Sequence, residues 1–278
     1  MKCPICGGEY AAVVLTLESP LGGTWDIYEC EVCATRFIYP IPSPEELSQF
    51  YDRLYQGGSS SRTKSLIDPS VGQTYWRRQW KIIKSLIGND SGRVLDFGCG
   101  GGHFLDNAGN SWEKFGVELS EEARKVAKKK GVRVFKGLCQ AKFPSEFFDV
   151  VTMFAAIEHL PNPRDEVEQL AEALKTGGLF VIMTGDARSL KAKMKGKKWH
   201  MYRPPEHTYF FCARSLDFLM SSLGFRKVKM LYTDGGMTHI PFRPLDMVLR
   251  RGLTISEKIP VLQKLPLFDH NYSYYAKM

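Results

Sequence analysis

Arg93-Val94-Leu95-Asp96-Phe97-Gly98-Cys99-Gly100-Gly101-Gly102-His103-Phe104-Leu105 is the stretch whose reading decides the fold. Arg93, Val94 and Leu95 form the end of a short buried strand, and Asp96 closes it. Gly98, Gly100, Gly101 and Gly102 then predict a tight turn, and His103-Phe104-Leu105 opens a helix of apolar periodicity. Strand, glycine turn and helix bring backbone N–H groups against a ligand in α/β folds. Glycine suits the turn because it reaches positive φ and has no Cβ to block close approach. Such a turn is equally a purely structural device. Here an acidic residue precedes it and another, Glu118, stands at the next strand end, where a carboxylate hydrogen-bonds ribose hydroxyls.

Downstream, strands and helices alternate. Lys114 to Glu118 is the second strand, and Ser120 caps a helix with Glu121-Glu122 in its first turn and Lys128-Lys129-Lys130 in its last, matching the helix dipole. Val132 to Lys136 is a third strand. Phe148 to Phe154 is a fourth, with the continuous apolar run of a strand buried on both faces. Pro163 opens a helix that reaches Lys175 and stops at Gly177-Gly178, and Leu179 to Thr184 follows as a fifth strand. A helix over Ser215 to Leu223, a strand over Phe225 to Tyr232 and a last strand over Tyr272 to Ala276 complete the pattern. The alternation predicts an α/β fold with a mostly parallel, doubly wound sheet. Asp96, Glu118, Leu138-Cys139 and Phe154 to His159 then fall at strand carboxyl ends and share one crevice.

Upstream, Cys3-Pro4-Ile5-Cys6 and Cys30-Glu31-Val32-Cys33 are two C-x₂-C knuckles, and Tyr10 to Leu17 with Trp25 to Tyr28 form a hairpin between them. Four thiolates suit tetrahedral Zn²⁺ and leave no open position, so residues 1–40 read as a structural zinc ribbon. Redox dithiols or unbound thiols are the competing reading. Ser43 caps a helix with Pro44 at its first position that runs to about Gln56, and 41–70 form a helical linker. The α/β domain is 71–278, opening on a helix from Val71 to Ile87.

The chain has 278 residues, a formal charge of +8 and 44% hydrophobic residues, with a pI near 9.0. No stretch is long and apolar enough to cross a bilayer, and no signal-peptide core is seen, so a cytoplasmic protein is expected. The positive charge suggests an anionic partner: a phosphorylated metabolite, a nucleic acid or a membrane surface. Lys191 to Arg203 concentrates six basic residues and reads as a solvated loop or a basic lid over an anionic acceptor. Residues 235–268 read as an insertion that covers an acceptor pocket or rests on a membrane surface.

V-L-D-F-G-C-G-G-G-H-F from Val94, G-V-E-L-S from Gly116, F-F-D-V-V-T-M-F-A-A-I-E-H-L-P-N-P from Phe147 and L-K-T-G-G-L-F-V-I-M-T from Leu174 together resemble the class I S-adenosylmethionine-dependent methyltransferases. The resemblance covers residues 70–233 and implies a seven-stranded, Rossmann-like sheet. It implies that Asp96 and the backbone of Gly98, Cys99, Gly100 and Gly102 hold the amino-acid part of the cofactor. Glu118 takes its ribose, Leu119 packs on the adenine, Leu138 and Cys139 border the adenine, and Phe154 lies along the cofactor site. Many relatives carry an Asp near Leu138; its absence here leaves that contact to backbone groups or Gln140.

With the cysteine knuckles, the chain is similar to bacterial methyltransferases that place a zinc module before the catalytic domain and act on sugars, glycan precursors or other small molecules. In nucleotide-sugar enzymes of this kind a Glu-His pair supplies the base, which maps to Glu206-His207 in P-E-H-T-Y-F-F, and a further histidine maps to His159. Those enzymes have an additional large C-terminal domain, whereas this sequence ends at Met278. Glu206 would orient His207 or raise its pKa; packing is the alternative role for both histidines, and for Tyr51 and Tyr55. Methyl transfer to a small-molecule acceptor, a sugar, glycan precursor or lipid-like metabolite, is therefore the expected function, with an anionic acceptor and peripheral membrane contact both compatible. RNA methylation and non-catalytic cofactor binding are the alternatives. Against RNA, Lys2 and Arg36 are the ribbon's only basic residues.

Overall fold

Gly92–Phe97, the strand predicted ahead of the glycine turn, is an inner strand of a seven-stranded sheet, third from one edge. The computed structural model describes residues 1–9, 11–18, 23–43, 45–47, 50, 73–233 and 269–278. Strands β1 (Ala11–Glu18), β2 (Thr24–Cys30) and β3 (Arg36–Tyr39) precede helix α1 (Gln73–Ile87) and β4 (Gly92–Phe97). Then come β5 (Trp112–Val117), α2 (Glu121–Lys129), β6 (Arg133–Phe135), α3 (Leu138–Ala141), β7 (Phe148–Phe154), α4 (Pro163–Ala173) and β8 (Leu174–Gly185). The chain continues through α5 (Leu190–Lys195), β9 (Tyr209–Phe210), α6 (Ala213–Ser222), β10 (Phe225–Thr233) and β11 (His270–Lys277).

The large sheet runs β10-β11-β8-β7-β4-β5-β6. Pairs from β8 through β6 are parallel, while β11 lies antiparallel between β8 and β10. Alternating side chains feed two cores, because successive strand residues point to opposite faces. Val94, Val150, Val181 and Met183 pack with Trp76, Trp80 and Phe104 on the α1 face. Leu95, Val151, Phe180 and Ile182 pack on the other face with Leu170 of α4 and Leu219 of α6.

That second core does not stop at the catalytic half. Cys3, Ile5, Cys30, Cys33 and Phe37 belong to the same apolar cluster. The ribbon's own sheet runs β1-β2-β3-β9, so a strand from residues 209–210 completes it. Arg36 pairs with Phe210 and Phe37 with Tyr209.

Several expected boundaries differ. His103-Phe104-Leu105 does not open a long helix; a single 3₁₀ turn over Leu105–Ala108 follows the glycines, ended by Gly109 at φ 75°. The helix from Pro163 ends at Ala173 rather than Lys175, because β8 already begins at Leu174 and uses Gly177 at φ 78° within the strand. Lys191 to Arg203 is not a loop: it holds α5, capped by the Ser189 hydroxyl, and a 3₁₀ turn over Gly196–Lys198, with Trp199 and Met201 buried. The Ser43 cap forms as expected, its hydroxyl accepting from Glu46 N at 3.2 Å while the Glu46 carboxylate accepts from Ser43 N at 2.8 Å. The linker beyond residue 50, Tyr51, Tyr55 and the 235–268 insertion lie outside the described residues. No described helix is long and apolar enough to cross a membrane.

Candidate functional site

The loop after β4 is fastened to the next strand: Gly98 N and Cys99 N both donate to Val117 O, at 2.8 and 3.1 Å. Gly98 turns at φ 79° and Gly100 at φ 51°, conformations that L side chains rarely adopt. A Cβ on Gly98 would stand 3.1 Å from the Ala156 Cβ, so the turn also lets the β7 end approach. Gly100 N donates to Glu118 Oε2 at 2.9 Å and Ser120 N to Glu118 Oε1 at 2.7 Å. The carboxylate is thereby fixed at the end of β5 with lone pairs remaining for further donors, since each carboxylate accepts up to about four.

Asp96 is 3% exposed, and its Oδ1 accepts from the Thr152 hydroxyl at 2.7 Å. Burial pushes its carboxyl up to about 7, with the Glu118 charge adding to the rise and the Thr152 bond opposing it. A cation beside it would restore the ionised form. Leu119 is 70% exposed, an unfilled apolar surface next to Glu118. Leu138 and Cys139 begin the short α3 at the end of β6. Cys99 turns its thiol inward, so its backbone is what faces the loop; burial raises the thiol and makes it a poor nucleophile. The Phe154 ring lies in the core, 4.9 Å from Phe104 and 5.2 Å from Trp76.

Beyond β7 the chain turns through Ala155 at φ 49° and a 3₁₀ turn over Ile157–His159. A strained residue at a strand's carboxyl end is a common mark of a functional turn. Glu158, 1% exposed, accepts from the Thr184 hydroxyl at 2.9 Å. The imidazoles of His159 and His207 meet edge to face with centroids 4.6 Å apart. Glu158, His159 and His207 offer ligating atoms within 4.8 Å of one another. His207 Nδ1 lies 2.7 Å from Met201 O, and His159 Nδ1 lies 3.0 Å from Glu206 O. A carbonyl oxygen only accepts, so each Nδ1 carries a proton, which makes Nε2 the ring nitrogen that can act as a base. The Glu206 carboxylate pairs with Arg203 at 2.7 Å; at Nδ1 it is the Met201 carbonyl that orients His207.

The four ribbon cysteines converge at the other end of the same core. Cys3 and Cys33 sulfurs are 3.6 Å apart and those of Cys6 and Cys30 3.5 Å. A tetrahedral site with Zn–S bonds of about 2.3 Å places its sulfurs about 3.8 Å apart, so this arrangement fits the ion. Gly8 N donates to Cys6 Sγ at 3.4 Å and supports a thiolate there. Arg36 is engaged by Glu29 at 2.6 Å and the Tyr202 hydroxyl at 2.7 Å, so of the ribbon's two basic residues it is Lys2 that faces solvent. A cavity of about 230 Å³ between β1 and α5, lined by Arg36, Lys193 and Tyr202, shares no residue with either cluster.

Residues 73–230 match the family described as a methyltransferase domain. The chain belongs to that family. An uncharacterized protein of Methanocaldococcus jannaschii is 31% identical over 51% of this chain and 68% of its own length. A ubiquinone biosynthesis O-methyltransferase of Azoarcus sp. is 32% identical over 51% of this chain and 62% of its own length. This methyltransferase thus spans about two thirds or less of the curated relatives it matches. A Thermotoga maritima crystal structure described as an S-adenosylmethionine-dependent methyltransferase, possible histamine N-methyltransferase, superposes with a TM-score of 0.52. It is 20% identical and covers 84% of this chain and 98% of its own. The seven-stranded sheet is accordingly that of S-adenosylmethionine-dependent methyltransferases.

Sequence reasoning missed the residues that hold this methyltransferase site from behind. Thr152 and Thr184 sit inside apolar strand runs, and Met201 acts through a carbonyl that its side chain does not advertise. A threonine interrupting an otherwise apolar buried strand is the one signal that was available.

Proposed function

We propose that the protein transfers the methyl group of S-adenosylmethionine to a small-molecule acceptor whose hydroxyl or acidic carbon loses a proton to His207. The observation that carries the reading is the His159–His207 pair beside the carboxyl end of β7, the strand next to the one that bears Asp96. Bound at the β4 loop, the cofactor supplies an activated methyl on a cationic sulfonium. Asp96 would bind its ammonium, backbone amides of the glycine loop its carboxylate, and Glu118 its ribose hydroxyls. His207 Nε2 would take the acceptor proton, with the Met201 carbonyl holding the tautomer. His159 would stand behind it as a second base or as its positioning partner. Buried Ile157 and Phe211 flank this segment and help exclude water.

The relatives named for ubiquinone biosynthesis support an oxygen acceptor, and the exposed basic run Lys193, Lys195, Lys197 and Lys198 supports an anionic one. Cys3, Cys6, Cys30 and Cys33 would hold a structural zinc ion; a ribbon with only two basic residues, one of them ion-paired to Glu29, speaks against RNA. Incubating the full chain with labelled cofactor and panels of nucleotide sugars and phenols tests the acceptor class. A structured RNA labelled in preference to every small molecule would sink it. For the ribbon, Cys6→Ser should release one equivalent of zinc; unchanged metal content would refute the site.

A further inference from the structure

A second constellation lies at the start of β11. His200, from the segment after α5, and Asp269 and His270, at the start of β11, bring ligating atoms within 4.8 Å of one another. Asp186 N donates to Asp269 O at 2.6 Å and His270 pairs with Gly185, so the group sits at the carboxyl end of β8. Asp269 is fully buried, His270 nearly so, and His200 is 50% exposed. The Asp269 Oδ2 atom has no hydrogen-bond partner among the described residues. Lys191 Nζ at 3.2 Å and His200 Nδ1 at 3.3 Å approach it without hydrogen-bond geometry, while His270 Nδ1 hydrogen-bonds the other oxygen, Oδ1, at 3.3 Å.

These separations have a meaning that the ribbon calibrates. Hydrogen-bonded N–H···O pairs close to 2.7–3.2 Å, with a mode near about 2.9 Å. Ligands on a tetrahedral ion at about 2.0–2.1 Å instead stand about 3.3–3.4 Å apart. His200 Nδ1 stands at that distance from Asp269 Oδ2 without a hydrogen bond, and His270 Nδ1, hydrogen-bonded to Oδ1, would exchange that bond for the ion. Two imidazoles and one carboxylate form a donor set suited to Zn²⁺, Co²⁺, Fe²⁺ or Mn²⁺, and three protein ligands leave positions for water or an oxygen ligand.

We infer that His200, Asp269 and His270 form a divalent transition-metal site with open coordination, separate from the cysteine ribbon. Without metal, Lys191 supplies the positive charge beside Asp269. Its side chain is 38% exposed, so it has room to swing away when an ion arrives. Unlike the ribbon, the site would be exchangeable, because one of its ligands faces solvent.

The test titrates Co²⁺ into the purified full chain and counts bound metal, with thiolate-to-cobalt absorption marking the ribbon's share. The expected result is one equivalent bound without thiolate absorption, weakened at least about a hundredfold in His200→Ala, since even loss of a supporting group costs metal sites about 10–100-fold. Lys191→Met, which removes the competing cation without touching a ligand, should tighten Co²⁺ by about tenfold. Its thermal transition controls for folding. Absence of non-thiolate cobalt in both the native chain and Lys191→Met would overturn the site, as would equal affinity in His200→Ala.

Discussion

The proposed cofactor half and the proposed acceptor half of this protein are built on different plans. Asp96, the glycine loop, Glu118 and Ser120 lie within 25 consecutive residues, and their bonds run between adjacent strands β4 and β5. The acceptor half draws on distant stretches: the cysteine ribbon, Glu158-His159, Thr184, and the run from Trp199 to Phe211. One side is set by local backbone geometry, and the other by what several separate segments do when packed together. Damage should therefore stay local on the first side and spread on the second.

Four outcomes break or sharpen that contrast. His207→Ala should lower turnover by roughly 10²–10⁴, the range for loss of a general base, with cofactor affinity unchanged in calorimetry. Equal loss of both would erase the distinction between halves. Phe37→Ala empties a fully buried site in the shared core and removes a neighbour of Tyr209; it should cost about 3–5 kcal/mol of stability by denaturant titration. Just below its new midpoint it should lose turnover sooner than cofactor binding. Glu118→Ala should weaken cofactor binding by about 1–3 kcal/mol, the scale of lost charged hydrogen bonds, and leave the ribbon's metal in place.

The smallest effect is on pH. Asp96 stands raised to about 7 in the folded protein. Between its unfolded value and about 7 the folded state binds the extra proton, so this residue's contribution to stability falls as pH rises through that window. Cofactor binding has the opposite sign, because a cationic ammonium favours the ionised carboxylate. Affinity should climb by up to about tenfold per pH unit below 7 and level off above it. In Asp96→Asn the slope should vanish; a slope that persists would assign it to another group.

Legibility in the sequence followed the same division. Asp96, the glycines and Glu118 were readable because strand, turn and strand succeed one another with a fixed local pattern. The Ser120 cap and the β7 run, Phe148–Phe154, were legible for the same reason. The helix expected after His103 fails because Gly109 ends it after one turn. Lys191 to Arg203 reads as solvated from its charges, yet Trp199 fixes it from within at 1% exposure. The role of Met201 was invisible, since any residue supplies a carbonyl. His200, Asp269 and His270 meet only through the pairing of β11 with β8, a contact across more than 80 residues that no local pattern encodes.

The pairing of β3 with β9 also has a consequence for synthesis. The ribbon emerges from the ribosome early, but its sheet lacks a fourth strand until residues 209–210 have been made. Until then β3 offers an open edge, and Phe37 and Ile38 lack their final cover, the kind of surface that invites mispairing. Contacts spanning some 170 residues are slow to form, and chains of this size fold through intermediates. A module translated some 170 residues ahead of its last strand is thus finished late, and a ribosome pausing before codon 209 leaves the β3 edge open on the nascent chain.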